Sequence, residues 1–261
     1  MRWLNLLFVM LVNAVPLYGV FELGWSASTV VVLYWFENLL SVFFTSARIA
    51  LHRRLTRKRG HWRAGQLGTK VNDKPSTAGL LGEFATMAIV FTLAHGVFVF
   101  AFTAIAADNH SDDPRWAFSR DQFLQGAQWM AIALVADFLV DALAMRQRSF
   151  AWIKAYVGAR MGRVIIMHLA IIFGMWGMMA TESPFAVLYV LIGLKTLWDL
   201  VASGASARAD ALPERPPTWL LKVGDAAGRD QGGAQQMAEN WKQQRENMIR
   251  AAKEDEEVMP V

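Results

Sequence analysis

The chain contains no cysteine. That removes disulfide staples, thiolate zinc sites, iron–sulfur clusters and cysteine nucleophiles from consideration. Charge is also scarce, at 18% of 261 residues, against 54% apolar residues; soluble domains carry nearer a quarter charged residues. Disorder and collagen-like structure are excluded by the same composition. No Gly-x-Ser-x-Gly elbow, P-loop or Gly-x-Gly-x-x-Gly fingerprint is present, so the common nucleophile and phosphate-binding devices are missing.

Long apolar runs are what remains. A helix crosses a hydrocarbon core with about 20 apolar residues, and six stretches qualify: Leu4–Val20, Ala27–Ile49, Leu80–Ala106, Phe123–Met145, Val164–Ala180 and Phe185–Ser203. The first follows Arg2 but lacks a small-x-small cleavage site, so it reads as a retained helix with Pro16 inside it. The expected fold is all-α, a six-helix transmembrane bundle over residues 1–204. A cytoplasmic linker (205–233), with an interfacial touch-down at Pro216–Lys222, and an amphipathic C-terminal helix with an acidic tail (234–261) follow it.

Lysine and arginine set the orientation. The segment His52–Ala78 and the loop Arg146–Arg163 are rich in them, whereas Ala107–Gln122 holds Arg115 and Arg120 beside four aspartates. Both basic loops and both termini are therefore expected on the cytoplasmic side. Arg53, Arg54, Arg57, Lys58 and Arg59 directly follow the second span, where contact with anionic lipid is favourable. The C-terminal helix offers Met237, Trp241, Met248 and Ile249 to headgroups or to a protein partner. The formal charge of +4 follows topology; without interleaved aromatics or a recognisable binding fold, nucleic acid is not an expected partner.

Inside the spans lie groups that are expensive in hydrocarbon. They are Glu37 and Asn38, His95, Asp137 and Asp141, His168, and Lys195 and Asp199. Tyr34, Glu37, Asn38, Ser41, Thr45 and Arg48 make one polar stripe at three- and four-residue spacing. Lys195 and Asp199 are one turn apart, suited to an ion pair within their own helix. Depth runs from Asp141, Asp199 and His168 near the inner ends, through Lys195 and Asp137, to Glu37, Asn38 and His95 near midplane. Four carboxylates face one lysine in this set, so neutralisation by protons, a charged histidine or a cation is expected.

Three strings carry a resemblance: Tyr34-Trp35-Phe36-Glu37-Asn38, the run from Arg163 to Gly174 around His168, and Lys195-Thr196-Leu197-Trp198-Asp199. They resemble the signature of an uncharacterised family of bacterial multi-pass membrane proteins, a domain of unknown function with a Tyr-Trp-x-Glu-Asn motif. The resemblance implies a bacterial cytoplasmic membrane protein and assigns no activity.

Four chemistries fit the polar set. Ion or proton transport along a ladder of ionisable groups is the leading one, with Glu37 as the proton-binding carboxylate. A bis-histidine haem would need His95 and His168 at matched depths, and straight helices put them about 13 Å apart along the normal; a metal site combining His168 with Asp141 and Asp199 is geometrically easier, although no Glu-x-x-His or His-x-x-x-His pair is present. No cofactor is named by the residues. A metal-free intramembrane enzyme built on Lys195 is the less favoured reading. A scaffold or accessory subunit, with buried polar groups tying helices together, is the remaining one.

Overall fold

The computed structural model describes residues 2–67, 72–75, 78–109, 112–181, 185–205 and 233–260. Its framework is helical: α1 (Arg2–Phe21), α2 (Ala27–Thr56), α3 (Gly79–Asn109), α4 (Arg120–Ala144), α5 (Phe150–Thr181), α6 (Phe185–Ala205) and α7 (Gly233–Glu256). Among the described residues, three helical stretches are long and apolar enough to cross a membrane: Ala27–Thr56, Gly79–Ile105 and Arg120–Gln147. Their outward faces are apolar; on α3, Val90, Leu93, Val97 and Phe100 are all exposed, a surface compatible with a lipid bilayer. Residues 206–232, which hold the expected linker and the Pro216–Lys222 touch-down, lie outside the described residues.

The helices start where local chemistry starts them. Ser26 caps α2 by accepting the Thr29 amide at 3.2 Å. Ser119 accepts the Gln122 amide of α4, which also carries Asp121 in its positive first turn. Ser149 accepts the Trp152 amide at 3.0 Å and opens α5 well before the apolar run begins. Phe150, Ile153 and Val157 continue that helix with a buried stripe. The expected loop Arg146–Arg163 is thus mostly helix, and Arg163 belongs to the helical packing instead of a loop.

Helix α2 is the hub, packing against α1, α3, α4, α5 and α6. Its N-terminal third is apolar and buried with Trp25, Met130, Leu188 and Leu191. Its later residues Val42 and Ile49 join Leu80, Phe84, Phe150 and Ile153 in a second core. The α1–α2 turn is fastened to the segment before α4: Ser28 Oγ donates to the Trp116 carbonyl at 2.6 Å, and the Ala27 amide to the Arg115 carbonyl at 2.9 Å.

Beyond α2, Arg57 adopts φ 52° and ends the helix. A 3-10 turn, Arg59–Trp62, leads to β1 (Arg63–Ala64), which pairs antiparallel with β2 (Asn72–Pro75). Two buried histidines lie in this layer, His52 Nδ1 and His61 Nε2 being 2.7 Å apart. His52 Nε2 lies 3.2 Å from the Arg148 carbonyl, so that nitrogen donates and Nδ1 accepts from His61. His61 Nδ1 is then an acceptor with no partner among the described residues. Burial first, and then repulsion of a second proton by His52 and by the Arg53 and Lys58 charges, lower the His61 pKa from 6.5 to about 3.

Two outcomes follow from this packing. A Cβ on Gly162 would sit 2.1 Å from the Trp198 ring, whereas one on Gly158 would meet nothing within 4 Å. Gly162→Ala should therefore lower stability by about 1–3 kcal/mol, while Gly158→Ala should be neutral or raise it by up to ~1 kcal/mol; thermal unfolding in detergent separates them. For His61, the unfolded chain takes a proton below 6.5 and the folded one resists until about 3, so stability falls as pH drops through that window. The thermal midpoint of His61→Gln should depend less steeply on pH there; parallel slopes would contradict the neutral histidine pair.

Candidate functional site

Four charged side chains from α2, α5 and α6 close into a ring. Arg163 pairs directly with Glu37 Oε1. Lys195 Nζ lies 3.3 Å from Glu37 Oε1 and 3.3 Å from Asp199 Oδ2. Arg163 Nε lies 3.8 Å from Asp199 Oδ1, so each cation touches both carboxylates. Glu37 and Lys195 are both fully buried. The Lys195–Asp199 contact is the i,i+4 pair of α6; the contacts to Glu37 are tertiary.

Neutral groups complete the ring. Asn13, buried on α1, accepts from Lys195 at 2.6 Å and donates to Asp199 at 3.2 Å. Its amide oxygen also accepts from Thr196 at 3.3 Å. The Tyr34 ring faces the ammonium, 5.4 Å from Nζ, where the π face favours a cation. Ser41 accepts from Arg163 at 3.4 Å. Tyr34 Oη and Glu37 Oε2 are buried and have no hydrogen-bond partner among the described residues.

A second cluster joins α2 to α4. Arg48, 1% exposed, donates to Asp137 at 2.7 Å and to Asp141 at 2.9 Å. The ring of Tyr156 lies 5.3 Å from its guanidinium and 5.0 Å from that of Arg160. Arg160 donates to the Tyr156 hydroxyl at 3.0 Å and interacts electrostatically with Asp137 and Asp199. The four carboxylates are thus ion-paired with three cations, Arg48, Arg163 and Lys195, and a fourth, Arg160, adds an electrostatic interaction with two of them. The charge excess expected from one lysine is absent because arginines near the ends of apolar runs reach inward.

The remaining expected residues are placed apart from the ring. Asn38 donates to Thr92 Oγ1 at 2.9 Å and faces α3. His95 is buried on α3 and lines a small void with Asn38, Phe91 and Val164. His168 lies on α5 and its side chain is outside the described residues. Glu83, near the start of α3, accepts the amides of Gly65 and Leu67 and serves the loop. Among the described residues no three His, Asp or Glu side chains gather as a metal-ligand set. Asp141 and Asp199 are engaged by different cations.

Three participants escape a reading by span boundaries: Asn13, Arg160 and Arg163. The signal for the arginines was the buried stripe at Phe150, Ile153 and Val157, which extends α5 backwards and turns a loop arginine into a helix-facing one. Asn13 carried only the weak signal of one amide in an apolar run.

Comparison with known proteins assigns a family and no activity. Residues 1–216 match a family of unknown function, DUF6498, and the chain belongs to it. No curated protein and no solved structure matches the chain.

Removing one member of a buried ion pair strands its partner and costs about 3–5 kcal/mol, whereas removing both is far milder. Arg163→Met should therefore destabilise strongly. Adding Glu37→Gln leaves Lys195 and Asp199 as a balanced pair and should restore part of the loss in thermal unfolding. A double variant that loses as much as the two single losses added together, or more, would show that the two residues do not act as a unit.

Proposed function

We propose that this chain is an integral protein of the bacterial cytoplasmic membrane that handles protons or cations at the Glu37–Arg163–Asp199–Lys195 ring. In this reading α1 to α6 all cross the bilayer and both termini are cytoplasmic. The lysine and arginine bias of the segments between the apolar runs supports that orientation, and the three span-length helices support membrane embedding.

The ring carries the functional reading. Two cations and two carboxylates at van der Waals range sum to zero charge. A proton on either carboxylate leaves a net positive ring in a medium that tolerates little net charge. Electroneutrality then requires a cation or a second proton to leave or an anion to enter, and Arg163 and Lys195 can exchange partners as that happens. Lys195, equally far from both carboxylates, is placed to make that exchange with a small movement. Glu37 is the proton-binding group in this scheme, because its Oε2 is buried and has no hydrogen-bond partner among the described residues. Asp137, Asp141 and Arg48 form the next charged step toward the inner end; Asn38 and His95 lie toward the outer half, and so does His168, five residues beyond Arg163 on α5.

A structural clasp is the second reading, and the charge balance itself favours it: a neutral ring needs no titration to be stable. One experiment separates the two. Protein reconstituted in vesicles loaded with a pH-sensitive dye is compared with Glu37→Gln across roughly pH 5 to 8, where perturbed carboxylates and histidines titrate. The handling reading expects wild-type proton movement that the variant loses while remaining folded. Identical traces would leave the clasp.

A further inference from the structure

Outside the helix packing, a second charged assembly has formed between the basic segment after α2 and the end of the chain. Lys58 pairs with Glu256. Arg59 reaches Glu257 at 3.1 Å, and Arg63 reaches Glu254 at 3.2 Å and Asp255 at 3.0 Å. Arg57 donates to the Pro260 carbonyl at 2.8 Å. Backbone bonds add to these contacts: the Arg59 amide donates to the Glu257 carbonyl at 2.7 Å and the Met259 amide to the Arg57 carbonyl at 3.0 Å. The carboxylate of Glu256 also accepts the Ala151 amide at the start of α5, at 3.2 Å.

The assembly is graded. Its inner part is built: Arg63, Gln66 and Asp255 are buried, with Gln66 donating to Asp255 at 3.1 Å. Its outer pair, Arg59 and Glu257, is exposed on both sides, where an ion pair is weak and easily exchanged. Four cations, Arg57, Lys58, Arg59 and Arg63, are matched by the four acidic residues 254–257. The acidic segment follows residue 216, so it lies beyond the part of the chain that defines the family.

We propose that this basic face is a binding surface for anionic lipid headgroups, and that the acidic C-terminal segment covers it as a displaceable internal competitor. The inference rests on the membrane orientation given under Proposed function and not on proton handling. The basic residues begin in the last turn of a span-length helix, with Arg53 and Arg54, at the level where a cytoplasmic leaflet presents its phosphates. Lipid phosphate and carboxylate oxygens make the same charge-assisted bonds to guanidinium and ammonium groups. A tethered competitor has a high local concentration, so dilute soluble phosphate is a poor rival and a dense anionic leaflet is a good one. On a zwitterionic surface the segment stays docked; on an anionic surface it peels from the exposed Arg59–Glu257 end inward.

The test uses the full chain in phosphatidylcholine nanodiscs with a rising fraction of phosphatidylglycerol. The readout is hydrogen exchange at the Arg59 and Met259 amides, which donate across the interface. Exchange should quicken by about tenfold or more as anionic lipid increases. Glycerol phosphate added at matching phosphate concentration to the zwitterionic discs should leave it slow. The variant Asp255→Asn with Glu256→Gln and Glu257→Gln should exchange quickly without any anionic lipid. Slow exchange of wild type at every lipid composition overturns the proposal, as does a triple variant that stays protected. Equal acceleration by glycerol phosphate also overturns it, because the surface would then be a soluble-anion site. Glu37→Gln should show the same lipid response as wild type, so loss of proton movement and loss of displacement are separate failures.

Discussion

A charge held away from water must meet an opposite charge, and in this protein that requirement is satisfied between helices. Glu37 on α2, Arg163 on α5 and Lys195 and Asp199 on α6 neutralise one another, and Asn13 brings α1 to the same point. No helix in this group can slide or rotate independently without stranding a partner, at a penalty of several kcal/mol. Much of the surrounding packing is consistent with that demand. Trp198, one residue from Asp199, fits against Gly162, one residue from Arg163, and donates to the Ala159 carbonyl at 3.1 Å. The Arg48 cluster repeats the arrangement between α2 and α4. The polar stripe of α2 is therefore a set of attachment points for its neighbours, each placed one or two turns from the last.

The carboxylates and the lysine were legible in the sequence because nothing else in an apolar run resembles them. Their partners were harder to see. An arginine at the end of an apolar run is most simply a topology signal, and Arg163 has that position; only the backward extension of α5 from Ser149 turns it into a ring member. Arg48 stood in the polar stripe of α2, but its pairing with Asp137 and Asp141 depends on which face of α4 is presented, and α4 is apolar nearly all round. The starts of α2 and α4 agree within a few residues of the expected spans, and Ser26 and Ser119 cap them, whereas α5 starts well before its apolar run.

The C-terminal contacts were illegible for a different reason. The acidic run after Lys253 and the basic run after Thr56 are far apart in the chain, Lys58 and Glu256 by 198 residues, and each by itself reads as a solvated surface or a lipid contact. Complementary charge is a weak predictor of pairing at that distance. What identifies the match is backbone hydrogen bonding around Lys58 and Val258 together with the burial of Asp255 against Arg63 and Gln66. The two charged systems also differ in character. The ring is enclosed and balanced within the family-defining region, whereas the C-terminal assembly is partly open and involves a segment outside it.

The meeting of α2, α5 and α6 depends most on Lys195 being shared between two carboxylates on different helices. Solid-state NMR on the unmodified protein in bilayers tests this directly, by measuring dipolar couplings from the labelled Lys195 Nζ to side-chain carboxylate carbons. Strong couplings to both Glu37 and Asp199 are predicted, given oxygen contacts of 3.3 Å to each. A coupling to Asp199 alone would contradict the account, since that contact lies within α6 and requires no meeting of helices.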